Sequence, residues 1–307
     1  MKDWTQLNLR RIKRGVSLAA KAALRPPVVA AWRGLAIWRR LGAPQQRYLA
    51  FVRAHRRLPV RRDPQTLSDK MFSVIGRASY SRYERYVDKY AVRELIAEQL
   101  GSQYSAPLLA VFDDADRFDP ANTPYGSIVK PSHLSGAVER FHRDQDPEDL
   151  RRTLRGWLRR NYAEETGEIQ YRDIPPRIVV ETDISRGGPM LSYSCFVFRG
   201  KIEAVYVHDQ ADGSWQFDRD HQYLQYSVLR QRNWPPLPRP EWFGELREHT
   251  ERLCRVFEFE FVRLDWFGVP DRFYFNEFTF TPKQNVFTVS PASEDLRLGA
   301  LVDLDRI

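Results

Sequence analysis

From Phe259 to Pro282 the sequence FEFVRLDWFGVPDRFYFNEFTFTP alternates apolar residues with charged ones at the period of two that predicts a pair of strands, with Gly268-Val269-Pro270-Asp271 as the turn. By that period Phe261, Arg263, Asp265 and Phe267 share one face of the first strand, and Phe273, Phe275, Glu277 and Thr279 share one face of the second. Just upstream, PEWFGELREHTERLCRVF predicts an amphipathic helix leading into this hairpin. Leu191 to His208 also alternates, turning at Arg199-Gly200-Lys201. Between Gly126 and Arg186, SIVKP, DPEDLRRTLRGWLRRNYAEE and PRIVVETDI read as strand, helix, strand. Ala106 to Phe112 predicts a short strand, and the stretch from Thr66 shows helical periodicity up to a stop at Gly101. Before Asp63-Pro64, two or three helical segments are broken at Arg25-Pro26-Pro27 and Gly42-Ala43-Pro44. Helices and strands in this mixed order predict α+β or α/β lobes around a cleft.

At 307 residues the chain is long enough for two lobes, each with a core. Cys195 and Cys254 lie in apolar runs without CxxC spacing, which argues against a disulfide framework or structural zinc and fits a reducing compartment. The six histidines form no HxxxH pair, and no apolar run reaches the roughly 18 residues of a spanning helix. The early apolar stretch is interrupted by Lys21 and Arg25, unlike a secretory signal.

Charge changes the picture once it is divided along the chain. Residues 1–62 hold 16 Lys and Arg against Asp3 alone, a balance of +15, whereas residues 63–307 hold 32 bases and 39 acids, a balance of −7. A basic arm carrying Trp4, Trp32 and Trp38 suits an anionic surface: the cytoplasmic leaflet, nucleic acid or a polyanionic polymer. A solvated helical hairpin packed on the body has the same composition, and the charge count leaves both open.

If odd residues of the predicted hairpin face one another, Arg263, Asp265 and Glu277 converge, giving oxygen ligands for a hard cation beside a phosphate-binding fork. An ion pair on a half-exposed sheet would use the same residues. Lys130 ends the strand SIVK and precedes a loop with Ser132, Ser135 and Gly136, whose hydroxyls and N–H groups suit phosphate, although a lone strand-end lysine needs no such role. Glu181 ends the strand in VVETDI, where a base could lie against the backbone up to Ile184, or the carboxylate could be a plain strand-end charge. Neither a Walker A nor a GxGxxG motif is present.

Taken in order, TLSDK, VDKYAVRE, SIVKPSHLSG, RIVVETDI, FRGKIEAV, FEFVRLDWF, FYFNEFTFTP and DLRLG resemble the TupA-like ATP-grasp family over about residues 65 to 300. The resemblance implies an α+β ATP-grasp fold: two lobes enclosing ATP, with 1–62 a basic helical arm, 63–125 an N-terminal lobe, 126–186 the small lobe and 187–307 the large lobe with its magnesium site. It implies Lys89 and Lys130 on the nucleotide, Ser135 and Gly136 in the phosphate loop, Glu181 to Ile184 at adenine, Asp265 and Glu277 on Mg2+, and Arg263 at the transferred phosphoryl group. The chain departs from the family pattern at Ser192-Tyr193-Ser194, where Asp-Tyr-Lys is usual, and at Pro282-Lys283-Gln284-Asn285, where a glycine-rich run is usual. Thr279 stands where many ATP-grasp enzymes have a metal-binding Asn.

The implied chemistry is ATP- and Mg2+-dependent activation of a carboxylate to an acyl phosphate and attack by an amine, giving an amide-type bond in synthesis or decoration of a bacterial surface polysaccharide. The expected partners are small-molecule or polysaccharide carboxylates and amines, with peripheral contact to an anionic membrane through residues 1–62 and no nucleic acid. The expected location is the cytoplasm, at the inner face of the membrane. A non-catalytic nucleotide-binding scaffold and a sugar-transferring enzyme are the alternatives, and the acceptor and amine are not legible.

Overall fold

The computed structural model describes residues 41–209, 213–228 and 236–307. The chain divides into residues 1–46 and 47–307, and the division falls inside the first described helix, α1 (Ala43–His55). The expected breaks at Arg25-Pro26-Pro27 and the three arm tryptophans lie outside the described residues. From Arg47 onward, the part assigned to the arm is fastened to the segment beyond residue 62. Phe51 is fully buried with its ring 4.6 Å from that of Phe72, and Arg57 Nη1 and the Val60 N–H reach Asp69 Oδ1 at 2.8 and 2.9 Å.

The helical stretch expected from Thr66 to Gly101 is four pieces: α2 (Leu67–Val74), a 3-10 turn at Ala78–Tyr83, α3 (Glu84–Val87) and α4 (Val92–Gln99). Thr66 caps α2 by accepting from the Asp69 N–H at 3.1 Å, and Gly76 at φ 82° ends the segment. The break sets Lys89, between α3 and α4, against the loop after the next strand but one.

Nine strands come next among the described residues, with helices between them: β1 (Leu108–Phe112), β2 (Ile128–Pro131), β3 (Glu139–Arg140), α5 (Pro147–Leu158), α6 (Tyr162–Thr166), β4 (Ile178–Glu181), β5 (Leu191–Phe198), β6 (Lys201–His208), β7 (Ser214–Phe217), α7 (Phe243–Val256), β8 (Phe261–Val269) and β9 (Arg272–Thr279); α8 (Ala292–Ala300) closes the chain. The smaller sheet has the order β1-β4-β2-β3, so the expected boundary at 125/126 falls between strands of one sheet. Its inner face, Val129, Ile178 and Val180, is buried with Leu150 and Leu154, two residues one turn apart on α5. The opposite face carries Lys130 and Glu181, because Lys130 pairs with Val179 and Ile128 with Glu181.

The larger sheet has the order β7-β6-β5-β8-β9, antiparallel throughout. Tyr193, Cys195, Leu264 and Trp266 alternate onto the face covered by α7, where the Trp266 indole N–H donates to Thr250 Oγ1 at 2.8 Å. Ser192, Ser194, Arg263, Asp265 and Phe267 therefore take the other face. Both cysteines are buried and free. The landmark runs TLSDK and DLRLG hold each other: Lys70 Nζ donates to the Gly299 and Val302 carbonyls at 2.9 and 2.7 Å, and a Cβ on Gly299 would lie 2.1 Å from the Gln65 carbonyl oxygen. Among the described residues no helix is long and apolar enough to cross a membrane.

Candidate active site

The β8–β9 register sets Asp265 opposite Glu277 and Arg263 opposite Thr279. Beyond Asp265 the register shifts: Trp266 pairs with Phe275, and Asn276 is the extra residue of a bulge. Strict alternation along β9 consequently fails. Phe273 and Phe275 are buried with Trp266, their rings 5.2 and 5.8 Å from it, while Glu277 and Thr279 stay with Asp265.

Two oxygens of Asp265 and the fork of Arg263 form a buried pair, with Nε at 2.9 Å from Oδ1 and Nη2 at 2.5 Å from Oδ2. The Thr279 hydroxyl lies 3.2 Å from both Asp265 Oδ2 and Glu277 Oε1, and Ser194 also bonds Asp265. Burial pushes the Asp265 carboxyl above the usual range, opposed by Arg263 and reinforced by the negative charge of Glu277. Arg263 Nη2 also stands 3.7 Å from Glu277 Oε1, so one guanidinium serves both carboxylates, whose donors are hard oxygens. Glu277 offers hard oxygens to a cation, whereas both oxygens of Asp265 are taken by Arg263; among the described residues no group of three or more His, Cys, Asp or Glu gathers to hold a metal ion.

Lys89 Nζ donates to the Leu134 carbonyl at 2.7 Å and stands 3.8 Å from Glu277 Oε2, with its side chain 9 % exposed. Burial lowers its pKa, and Glu277 is the largest opposing influence. Lys130 Nζ lies 2.6 Å from Glu181 Oε2, and Arg93 Nη1 lies 2.7 Å from Oε1. Both carboxylate oxygens of Glu181 are therefore engaged by cations. Gly136, in the loop after β2, has φ 74° and a Cβ there would meet nothing within 4 Å, so backbone freedom rather than space selects glycine.

Between the sheets lies a cavity of about 530 Å³ lined by Lys89, Lys130, Gly136, Glu181, Ile184 and Glu277 among others. A second cavity of about 370 Å³ is lined by Ser135, Arg263, Thr279 and, again, Glu277. The residues expected on the nucleotide thus meet at one cavity except Ser135, which lines the other. Asp265 lines neither and sits behind Arg263 and Thr279. Arg263 faces the second cavity, not the one that Lys89 and Lys130 line.

Sequence reasoning missed Arg93, which orients Glu181, and Arg140, whose Nη1 lies 2.5 Å from Asp183 Oδ2. Arg93 had a signal, lying one helical turn after Lys89 in VDKYAVRE. It also missed Met190, His208 and Phe267 on the cavity wall and the second cavity's Tyr162, Glu168 and Tyr171. These last three come from a loop and short helices whose meeting with β9 leaves no local pattern.

Two antiparallel sheets enclosing a cleft, with lysines on one side and an acidic hairpin on the other, define an ATP-grasp protein. The chain belongs to the TupA-like ATP-grasp family, whose sequence profile matches residues 69–303. Comparison with curated proteins finds no match. Among solved structures the chain is similar to an L-amino acid ligase from Bacillus licheniformis at 12 % identity and TM-score 0.44, over 67 % of this chain and 45 % of that one. It is also similar to a D-alanine–D-alanine ligase from Bacillus anthracis complexed with ATP, at 15 % identity and TM-score 0.44, over 72 % of this chain and 64 % of that one. The match to these two structures thus takes in less than two thirds of either ligase's own length.

Proposed function

We propose that the chain is an ATP- and magnesium-dependent ligase that joins a carboxylate to an amine through an acyl phosphate, in synthesis or decoration of a bacterial surface polysaccharide. The observation that carries this reading is the convergence of Lys89, Lys130 and Glu277, from three separate elements, on one cleft cavity. ATP would lie there with its base against the backbone of residues 181–184 and Met190, and its phosphates toward Lys89, Lys130 and the Gly136 loop. Asp265 and Glu277 would hold the metal ion, which supplies neutralisation of charge on the phosphoryl oxygens. Lysines at the phosphates and Arg263 near the far end stabilise charge as it builds there, with no covalent protein nucleophile required.

Ser192 and Ser194 stand where the family usually places charged residues; Ser192 lines the first cavity, so a hydroxyl rather than an ion pair would read the substrate there, while Ser194 is buried on Asp265. The basic residues 1–62 would attach the protein to an anionic membrane at its cytoplasmic face. Mass spectrometry of reactions containing ATP, uronic acids and amines tests the reading: a product that gains the amine and loses water supports it, and a sugar-transfer product or ATP left intact with every substrate contradicts it.

A further inference from the structure

The second cavity shares Glu277 with the first, and the loop after β2 contributes Gly136 to one and Ser135 to the other. A group activated at the phosphate end of the first cavity would therefore face the second across a single side chain. Resting on the ligase reading above, we propose that the second cavity is the amine subsite, that it takes an amino acid, and that Glu168 receives the ammonium group and removes its proton while Lys283 binds the carboxylate.

Glu168 is 5 % exposed and, among the described residues, forms no ion pair. Its partners are hydroxyls. Gln170 Nε2 donates to Thr281 Oγ1 at 2.7 Å, which directs the Thr281 proton onto Glu168 Oε1, and the Tyr162 hydroxyl also bonds the carboxylate. Thr281 and Tyr162 thus hold an acceptor in place without neutralising it, and a cationic ligand would complete the site. Arg47 of α1 is the compensating charge that acts on it; Tyr162 of α6, Tyr171, Arg263, Glu277 and Lys283 are the other titratable groups around the cavity. Burial raises the Glu168 pKa, which suits a group that must take a proton.

The segment that follows Thr281 is built under strain. Lys283, Gln284 and Asn285 occupy the left-handed region in succession, at φ 50°, 53° and 57°, and none is glycine. Asn285 is buried and its amide donates to the Met71 carbonyl at 2.8 Å, which pins the loop so that Lys283 and Gln284 line the cavity. Lys283 is exposed at its edge, and Glu168 is buried within. A buried carboxylate and an exposed ammonium match the two charges of an amino acid, and Tyr162 and Tyr171, their rings 4.9 Å apart and edge to face, line the same cavity.

In the step, the ammonium gives one proton to the Glu168 carboxylate and the freed amine attacks the acyl phosphate carbon. A C–N bond forms, the C–O bond to phosphorus breaks with its electron pair going to phosphate, and the phosphate leaves with the second amine proton. Glu168 returns its proton to water.

Calorimetry with each of the common amino acids, on the full chain with and without a non-hydrolysable ATP analogue, tests the assignment. At least one amino acid should bind the parent protein. Glu168→Gln should weaken that binding roughly 10- to 100-fold, the scale of a lost charge-assisted bond, and leave analogue affinity unchanged. Lys283→Ala should weaken amino acids while leaving an amine without a carboxylate, such as ethylamine, unaffected. A melting curve that stays cooperative for Glu168→Gln, together with unchanged analogue affinity, separates lost binding from lost fold. No amino acid binding to the parent, or undiminished binding to a folded Glu168→Gln, overturns the proposal. Failure of the analogue to bind would instead sink the ligase reading, and amino acid binding measured alone would still decide this one.

Discussion

Asp265 and Glu277 face each other across β8 and β9, yet their surroundings differ enough to separate their mutants. Asp265 is buried beneath Arg263, whereas Glu277 opens to both cavities. Glu277→Gln should abolish ATP turnover with little change in the denaturant midpoint. Asp265→Asn should abolish it too but also lose about 3–5 kcal/mol of stability, because it breaks the two-pronged buried pair and leaves Arg263 only Glu277, 3.7 Å away. Parallel turnover and unfolding measurements check the contrast, and an unchanged turnover in either variant contradicts the metal assignment. Lys89 gives a pH signature. Its folded pKa lies below the ordinary lysine value of 10.5, so protonation is what burial disfavours: the fold gains stability as pH rises through the lowered pKa, while affinity for nucleotide falls over the same range. Lys89→Arg, which stays charged, should flatten that alkaline loss of affinity in calorimetry. The charges of the hairpin were legible because polar residues in a strand face must have a use or a partner. The ion pair of Arg263 with Asp265 was one of the two readings the alternation allowed; that Arg263 would turn to the second cavity was not legible, since alternation specifies a face and no direction along it.

At the scale of elements, the β9 bulge at Asn276 is what lets Phe275 join the core while Glu277, two residues on, faces the cleft. A period-two reading puts them on one face, and no sequence signal marked the extra residue. The hairpin itself, the β5–β6 pair and α7 were all legible from alternation and amphipathic spacing. The stretch from Thr66 to Gly101 misled because its apolar spacing persists through Gly76, where the chain turns at φ 82° and restarts. The left-handed run at Lys283–Asn285 carries a further prediction. A side chain in that conformation costs roughly 1 kcal/mol or more relative to glycine, so Lys283→Gly should raise stability by about that amount. A raised urea midpoint with an unchanged slope is expected, and a lowered midpoint would mean that the Lys283 side chain supports the fold rather than a ligand.

For the whole molecule, the division of charge and the division of structure fall at different places. The basic excess runs to residue 62, but from Arg47 the chain is tied to α2 through Phe51, Arg57 and Val60. Removing residues 1–40 should leave nucleotide affinity and melting temperature unchanged and abolish salt-sensitive flotation with anionic liposomes. Removing residues 1–62 should lower the melting temperature as well, because it strips the cover from Phe72 and the partners from Asp69; equal flotation of the full and shorter chains would contradict a membrane role. Lobes around a cleft were legible from the mixed order of helices and strands, but the ATP-grasp fold only from the order of many short landmarks, since each taken singly is a common strand end or turn. The central claim, that ATP activates a carboxylate held between the lobes, is tested most directly by tracing oxygen. With a uronic acid labelled with oxygen-18 in its carboxylate, ATP and an amine, the account predicts ADP and inorganic phosphate carrying one labelled oxygen for each amide formed. Amide formation with unlabelled phosphate, or with AMP as the nucleotide product, would contradict it.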